Sequence, residues 1–145
     1  MKVLSVAGDR VAILLDGAAT NQKYTIMEAC LPPNAGPPPH VHHKEDETIS
    51  VLSGEITFFL GGTTSLMKRG DFIFAPKGIP HHFKNTGNEE AILLETASPA
   101  GIEVFFEAVG HSLPDRDAPP LRRTAEDIAH MIEIAPSFGI DILAR

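Results

Sequence analysis

At 145 residues the chain is long enough for one domain with a core of its own, since folding at this size hides roughly 70% of the surface an unfolded chain exposes. Its 19 acidic against 12 basic side chains leave a formal charge of -7, and no Lys/Arg cluster relieves it locally, so nucleic acid is excluded as an expected partner. The single cysteine, Cys30, cannot form an internal disulfide, and any metal site must therefore be built from His and carboxylate.

From Lys2 to about Leu15 the chain is apolar and β-branched, with breaks at Ala7-Gly8-Asp9 and Asp16-Gly17, which predicts two short strands joined by a turn. Asp9 and Arg10 interrupt this start before a signal-peptide run builds up, and no stretch of about 20 apolar residues follows. The expectation is a cytoplasmic protein with no membrane partner that acts on a small molecule. Tyr24 to Leu31 alternates, with Thr25, Met27, Ala29 and Leu31 on one face and Tyr24, Ile26, Glu28 and Cys30 on the other. Two partly apolar faces suit a barrel wall better than an open sheet. The proline-rich run from Pro32 to Pro39 cannot be regular structure and forms a stiff approach to the first histidines.

Thr48 to Leu52 is a further strand, and Glu55 to Leu60 joins Thr63 to Met67 through Gly61-Gly62, a hairpin signal because glycine accepts the positive φ of primed turns. Asp71 to Ala75, His81 to Asn85 and Ala91 to Thr96 supply more short strands. Strands at this spacing predict an all-β barrel or jelly roll. Helix comes late: one or two turns over Ile102 to Val109, and a second helix opened by Thr124, with Asp127 in the capping position and Ile128, Met131, Ile132 and Ala135 as its apolar stripe. Pro136 ends it, before a last extended piece from Phe138 to Leu143. The whole, residues 1–145, reads as a single domain with a helix and tail over about 121–145.

The chemistry is concentrated between Gly36 and Asn85. His40 and His42 are two residues apart, so on an extended chain both imidazoles leave one face, and Glu47 shares the face of Ile49 and Val51. A carboxylate inside an apolar barrel is costly unless its charge is met, and a divalent cation meets it. His81, with Phe83 on its face, completes three nitrogens and one oxygen. His43 and His82 point the other way from their neighbours. Lys44, Glu45 and Asp46 read as a solvated turn, and Asn85 as a turn-stabilising amide. Phe58, Phe72, Phe74, Phe83, Met27, Val51 and Leu94 are candidates for pocket lining or plain core; Ile49, Val51 and Phe83 have the best claim to a substrate pocket because each shares a face with a ligand.

These spacings resemble the two motifs of the cupins. The first is met by His40, His42, Glu47 and Gly54, and the second by Gly70, Pro76, Gly78, His81 and Asn85, with fifteen residues between Gly54 and Gly70. One departure is Asn34 where the first motif opens on glycine, the nearest glycine being Gly36. The wider stretch from Pro37 to Phe83, and the ending from Phe138 to Leu143, are similar to bacterial quercetin-dioxygenase-like cupins. The resemblance implies a jelly-roll barrel of six to eight strands with a short carboxy-terminal helical segment. It implies one divalent transition metal ion (iron, nickel, manganese, cobalt, copper or zinc) on His40, His42, Glu47 and His81, and Glu47 as catalytic base. The implied activity is that of a metal-dependent dioxygenase on a small aromatic or enolisable substrate, with dioxygen as co-substrate. Cupins with the same ligands also include redox-neutral isomerases and cyclases and non-catalytic binding proteins. A homodimer paired through sheet edges is the expected assembly.

Overall fold

The computed structural model describes residues 1–143, and residues 144 and 145 of the expected carboxy-terminal tail lie outside the described residues. Two antiparallel sheets face each other. The larger runs β11-β1-β2-β3-β10-β5-β8, built from β1 (Lys2–Val6), β2 (Asp9–Leu15), β3 (Thr25–Leu31), β5 (Asp46–Ser53), β8 (Phe72–Ala75), β10 (Ala91–Ser98) and β11 (His111–Ser112). The smaller runs β12-β4-β9-β6-β7, built from β4 (His40–His42), β6 (Glu55–Leu60), β7 (Thr63–Lys68), β9 (His81–Lys84) and β12 (Ile140–Ile142). The two sheets hold twelve strands among the described residues, more than the six to eight the resemblance implied, with the short strands β11 and β12 at their edges.

The period-2 pattern of the sequence decides which side of each strand is hidden. Thr25, Met27, Ala29 and Leu31 of β3 are at most 2% exposed, while Ile26 and Glu28 are only half-buried. On β5, Glu47, Ile49 and Val51 are buried and Thr48 and Leu52 face solvent. A one-residue slip of β5 would turn Glu47 out of the interior, so the pairing of Glu47 with Ala75 and Ile49 with Ile73 fixes the site as well as the wall. Phe72 and Phe74 fall on the outer side of edge strand β8, 76% and 56% exposed, and so do not line the interior.

Two core clusters result. One lies between the sheets and includes Leu31, Ile49, Val51, Ile56, Phe58, Met67, Phe83 and Leu93. The other joins Leu4, Val6, Val11, Ile13 and Met27 to the helices α1 (Ile102–Val109) and α2 (Ala125–Ile134). Helix α2 starts where its cap predicts: the Asp127 backbone N–H donates to Thr124 Oγ1 at 3.1 Å. Met131 and Ala135 of its stripe are buried, whereas Ile132 is 41% exposed, and the chain passes through a short 3₁₀ turn (Ala135–Phe138) into β12. Among the described residues, no helix is long and apolar enough to cross a membrane.

Helix α1 is tied to the barrel by Glu103. Its carboxylate accepts from the Gly17 N–H at 2.7 Å, the Thr25 hydroxyl at 2.6 Å and the Gly101 N–H at 2.8 Å. Burial alone would raise this carboxyl, but the donors from Thr25, Gly17 and Gly101 outweigh it and hold the group below its ordinary value of 4.5. The resulting stabilisation is fully present above that ordinary value and is lost as pH falls through the lower value in the folded chain. Urea unfolding as a function of pH is therefore expected to show an acid decline below about 4.5 that Glu103→Gln flattens. An unchanged acid slope in that variant contradicts the role given to Glu103.

Candidate metal centre

The approach to the site is set by backbone constraints in the proline-rich run. Asn34 adopts φ 69°, the left-handed conformation that asparagine tolerates better than most residues, which is how it stands in for the motif's glycine. Gly36, at φ 155°, passes so close to β9 that a Cβ there would lie 2.0 Å from the Phe83 carbonyl oxygen. The loop is pinned by the Asn34 N–H donating to the Asn85 carbonyl at 2.9 Å and the Asn85 N–H donating to the Ala35 carbonyl at 2.8 Å. Asn85 itself is fully buried, donating from Nδ2 to the Leu31 and Glu89 carbonyls and accepting from the Gly87 N–H, a turn-holding role.

Delivered this way, His40 and His42 leave β4 on one face, and His40 pairs across the sheet with His81 of β9. Glu47 reaches them from the opposite sheet. One ligand-type atom from each of His40, His42, Glu47 and His81 lies within 4.8 Å of the others, and all four residues are buried. The Glu47 Oε1 atom stands 3.0 Å from both His42 Nε2 and His81 Nε2. The imidazoles crowd edge to face, with ring centroids 4.8 Å apart for His40 and His42 and 4.5 Å for His40 and His81.

The other nitrogen of each ring is already engaged. His40 Nδ1 faces the Pro38 carbonyl at 2.7 Å, His81 Nδ1 the Ile79 carbonyl at 3.2 Å, and His42 Nδ1 the Glu45 carboxylate at 2.8 Å. With Nδ1 of each ring turned outward, Nε2 points into the cluster as the atom that offers a lone pair to an ion. Glu45 is thus no solvated turn residue: it is 5% exposed and orients His42. Its neighbour Asp46 accepts from the Lys77 N–H at 2.8 Å, which ties the two motif loops together.

Burial works against a charge on His42, but the carboxylates of Glu47 and Glu45 outweigh it and push its pKa up to about 10. Burial, with repulsion from His42 and His81, drives His40 down to about 3. Burial alone would raise Glu47 as well, yet its contacts with His42 and His81 hold it well below the usual carboxylate range. Without an ion, a proton on His42 meets the ionised Glu47 carboxylate and holds the cluster together; with that proton displaced, the three Nε2 lone pairs converge beside the carboxylate. Three imidazole nitrogens and one carboxylate oxygen are a donor set that a divalent transition metal accepts, and such an ion takes over what that proton does. The residues fit one metal ion.

The site opens into a cavity of about 60 Å³. His40, His42, Glu47 and Phe83 line it on the cluster's side, and Val11, Phe105, Phe106, Met131 and Ile140 supply apolar wall. Of the three residues expected to form a pocket, Phe83 is at the cavity, while Ile49 and Val51 are packed in the core between the sheets with Ile56, Phe58 and Met67. His43 lies outside the cluster against Asp141, and His82 stacks on Phe59 at 4.3 Å between ring centroids. Two acids that the sequence pattern did not single out also line the cavity: Asp9 and Glu95, each 7% exposed. The only signal available for them was an acid whose same-face neighbours two residues away are apolar, Val11 for Asp9 and Leu93 and Ala97 for Glu95.

Comparison with known proteins gives the same picture. The family model described as "Cupin domain" matches residues 27–97. An uncharacterized protein of Aquifex aeolicus is 40% identical over 62 residues, covering 43% of this chain and 50% of that protein. Putative germin-like protein 9-2 of Oryza sativa subsp. japonica is 28% identical over 106 residues, 68% of this chain and 50% of that protein. The chain spans half or less of the length of the curated relatives it matches. Among solved structures, a predicted oxalate decarboxylase from Thermotoga maritima aligns with a TM-score of 0.62 at 29% identity, over 68% of this chain and 90% of that one.

Proposed function

The chain belongs to the cupins, and on that premise we propose that it is a metal-dependent dioxygenase acting on a compact, enolisable, oxygen-rich substrate. The observation that carries this reading is the buried convergence of His40, His42, Glu47 and His81, the first three of which line a largely apolar cavity. When bound, a divalent transition metal polarises a substrate oxygen and offers coordination positions beyond the four protein donors.

The chain's own part is to position, exclude water and accept a proton. Glu47 lines the cavity with its carboxylate, and its removal of an acidic C–H or O–H proton leaves an electron-rich enolate facing Phe83 and the apolar wall. That enolate supplies the electrons that reduce dioxygen, both oxygen atoms enter the products, and no external reductant is needed. His40 is kept neutral by burial and stays available as a nitrogen donor. The apolar residues keep bulk water from quenching the enolate.

Cavity size favours a small substrate. About 60 Å³ holds roughly four waters, so a six-atom dicarbonyl fits far more readily than a three-ring flavonol. The likeness to a predicted oxalate decarboxylase also favours a small substrate rich in oxygen. Oxygen-electrode measurements on metal-loaded protein are expected to show uptake with small 1,3-dicarbonyl compounds and little with flavonols. Glu47→Gln is expected to lower the rate at least tenfold, the usual scale for a general base. Turnover of such compounds under strict anaerobiosis contradicts the dioxygenase reading and assigns the site to isomerisation or cyclisation; no turnover with the ligand recovered unchanged assigns it to binding alone.

A further inference from the structure

Asp9 and Glu95 have no place in the metal cluster, and the fold does not explain them. Asp9 opens β2 directly after the Ala7-Gly8 turn, where a hairpin acid ordinarily faces water, yet it is 7% exposed. Its Oδ1 atom is buried without a hydrogen-bond partner, alone in this among the described residues. Glu95 sits in the middle of β10, across from Met27 on one side and Ile49 on the other, and its carboxyl makes no hydrogen bond among the described residues. A buried polar atom left unpaired, as Asp9 Oδ1 is, forfeits about 1–3 kcal/mol. Both line the cavity that His40, His42 and Glu47 line.

We propose that Asp9 and Glu95 form a second polar pole of this cavity, which binds a carbonyl or carboxylate oxygen of a small substrate while the metal cluster takes another. The proposal rests on the cavity being a ligand site, as in the function proposed above, and not on dioxygenase chemistry. A neutral carboxyl carries one O–H donor, and that donor, facing an otherwise apolar wall, selects an oxygen acceptor. No Lys or Arg hydrogen-bonds to either carboxyl among the described residues: Arg123 is the charged neighbour of Asp9, but its guanidinium is turned to the Gly36 carbonyl at 3.3 Å. Burial pushes Asp9 up to about 8 against the pull of Arg123. The ligand class that satisfies both poles is a compact molecule with two oxygen functions a few bonds apart, such as a 2-oxo acid or a dicarbonyl. In this account Asp9 and Glu95 determine specificity, and neither holds the metal.

The test is calorimetric titration of pyruvate into zinc-loaded and zinc-free full-length protein, where no oxygen chemistry intervenes. Asp9→Leu and Glu95→Leu keep the side-chain bulk and remove the donor, and are expected to weaken pyruvate binding about tenfold each while zinc stays at one per chain. Asp9→Asn and Glu95→Gln keep an N–H donor and are expected to stay within about threefold of the wild type. Should one leucine variant fail to fold, the other and the two amide variants carry the comparison. Wild-type binding with leucine in place of either acid overturns the proposal, as does a zinc-loaded wild type that binds no pyruvate at millimolar concentration. Failure of the metal reading shows separately, as zinc below stoichiometry, and in that case the zinc-free protein must still lose pyruvate binding on the leucine substitutions for the pole to stand.

Discussion

Alanine at His81 is expected to reduce bound metal from one ion per chain to less than about a tenth, with the barrel still folded. His81 is the ligand with the least redundancy. It comes from β9, pairs with His40 across the sheet, and contributes a nitrogen 3.0 Å from Glu47 Oε1, its ring stacked beside that of His42. Without it three donors remain, and Glu47 keeps only its contact with His42. Alanine at His82, one residue along and on the outer face against Phe59, is the matched control and is expected to retain a full ion. Elemental analysis of both variants, beside circular dichroism to confirm folding, separates the two. Equal metal content in His81→Ala and His82→Ala contradicts the ligand assignment.

Phe58→Ala is expected to be among the most destabilising single substitutions in the chain. Phe58 is completely buried, and its ring lies nearly parallel to His81 and to Phe83, with centroid separations of 5.8 and 5.5 Å. It fills the space between the sheets behind the metal cluster, packed with Ile56, Met67 and Leu93. Truncating a buried phenylalanine costs about 3–5 kcal/mol in lost transfer energy and residual cavity. For a domain of this size that lowers the melting temperature by roughly 10 °C or more. The measurement belongs on chelator-treated protein, because an ion bound only to the folded state adds its own stabilisation. With metal restored, the same variant is expected to bind it less tightly, since His81 loses the surface that fixes its ring. A loss below about 1 kcal/mol contradicts a core packed around Phe58.

What the sequence made legible was what is local. Alternation in Thr25 to Leu31 and in Glu47 to Val51 assigned the buried faces, because a strand's side-chain period is set by its backbone alone. Thr124 marked the start of α2 through a hydrogen bond within one turn. Spacing also placed His40, His42, Glu47 and His81 together, since two short motifs each fix a strand end and the barrel brings those ends to one point. Other features depend on contacts distant in sequence. Asp9 and Glu95 meet in the cavity only because β2 and β10 flank β3 in one sheet. Glu45 looked like part of a charged turn because its burial comes from the loop's fold and not from any periodicity. Phe72 and Phe74 carried an apolar pattern with no indication that β8 is an edge strand whose other face is the interior one. The two-residue strand β11, built around His111, is too short to leave a pattern at all.

The central claim is that the four buried side chains hold one transition metal ion. Its most direct test is plasma mass spectrometry of wild-type protein incubated in turn with manganese, iron, nickel and zinc and then desalted. The account predicts close to one ion per chain for at least one of these metals, retained through desalting and removed by a chelator. Retention below about a tenth of an ion per chain for every metal, in protein shown to be folded, contradicts it.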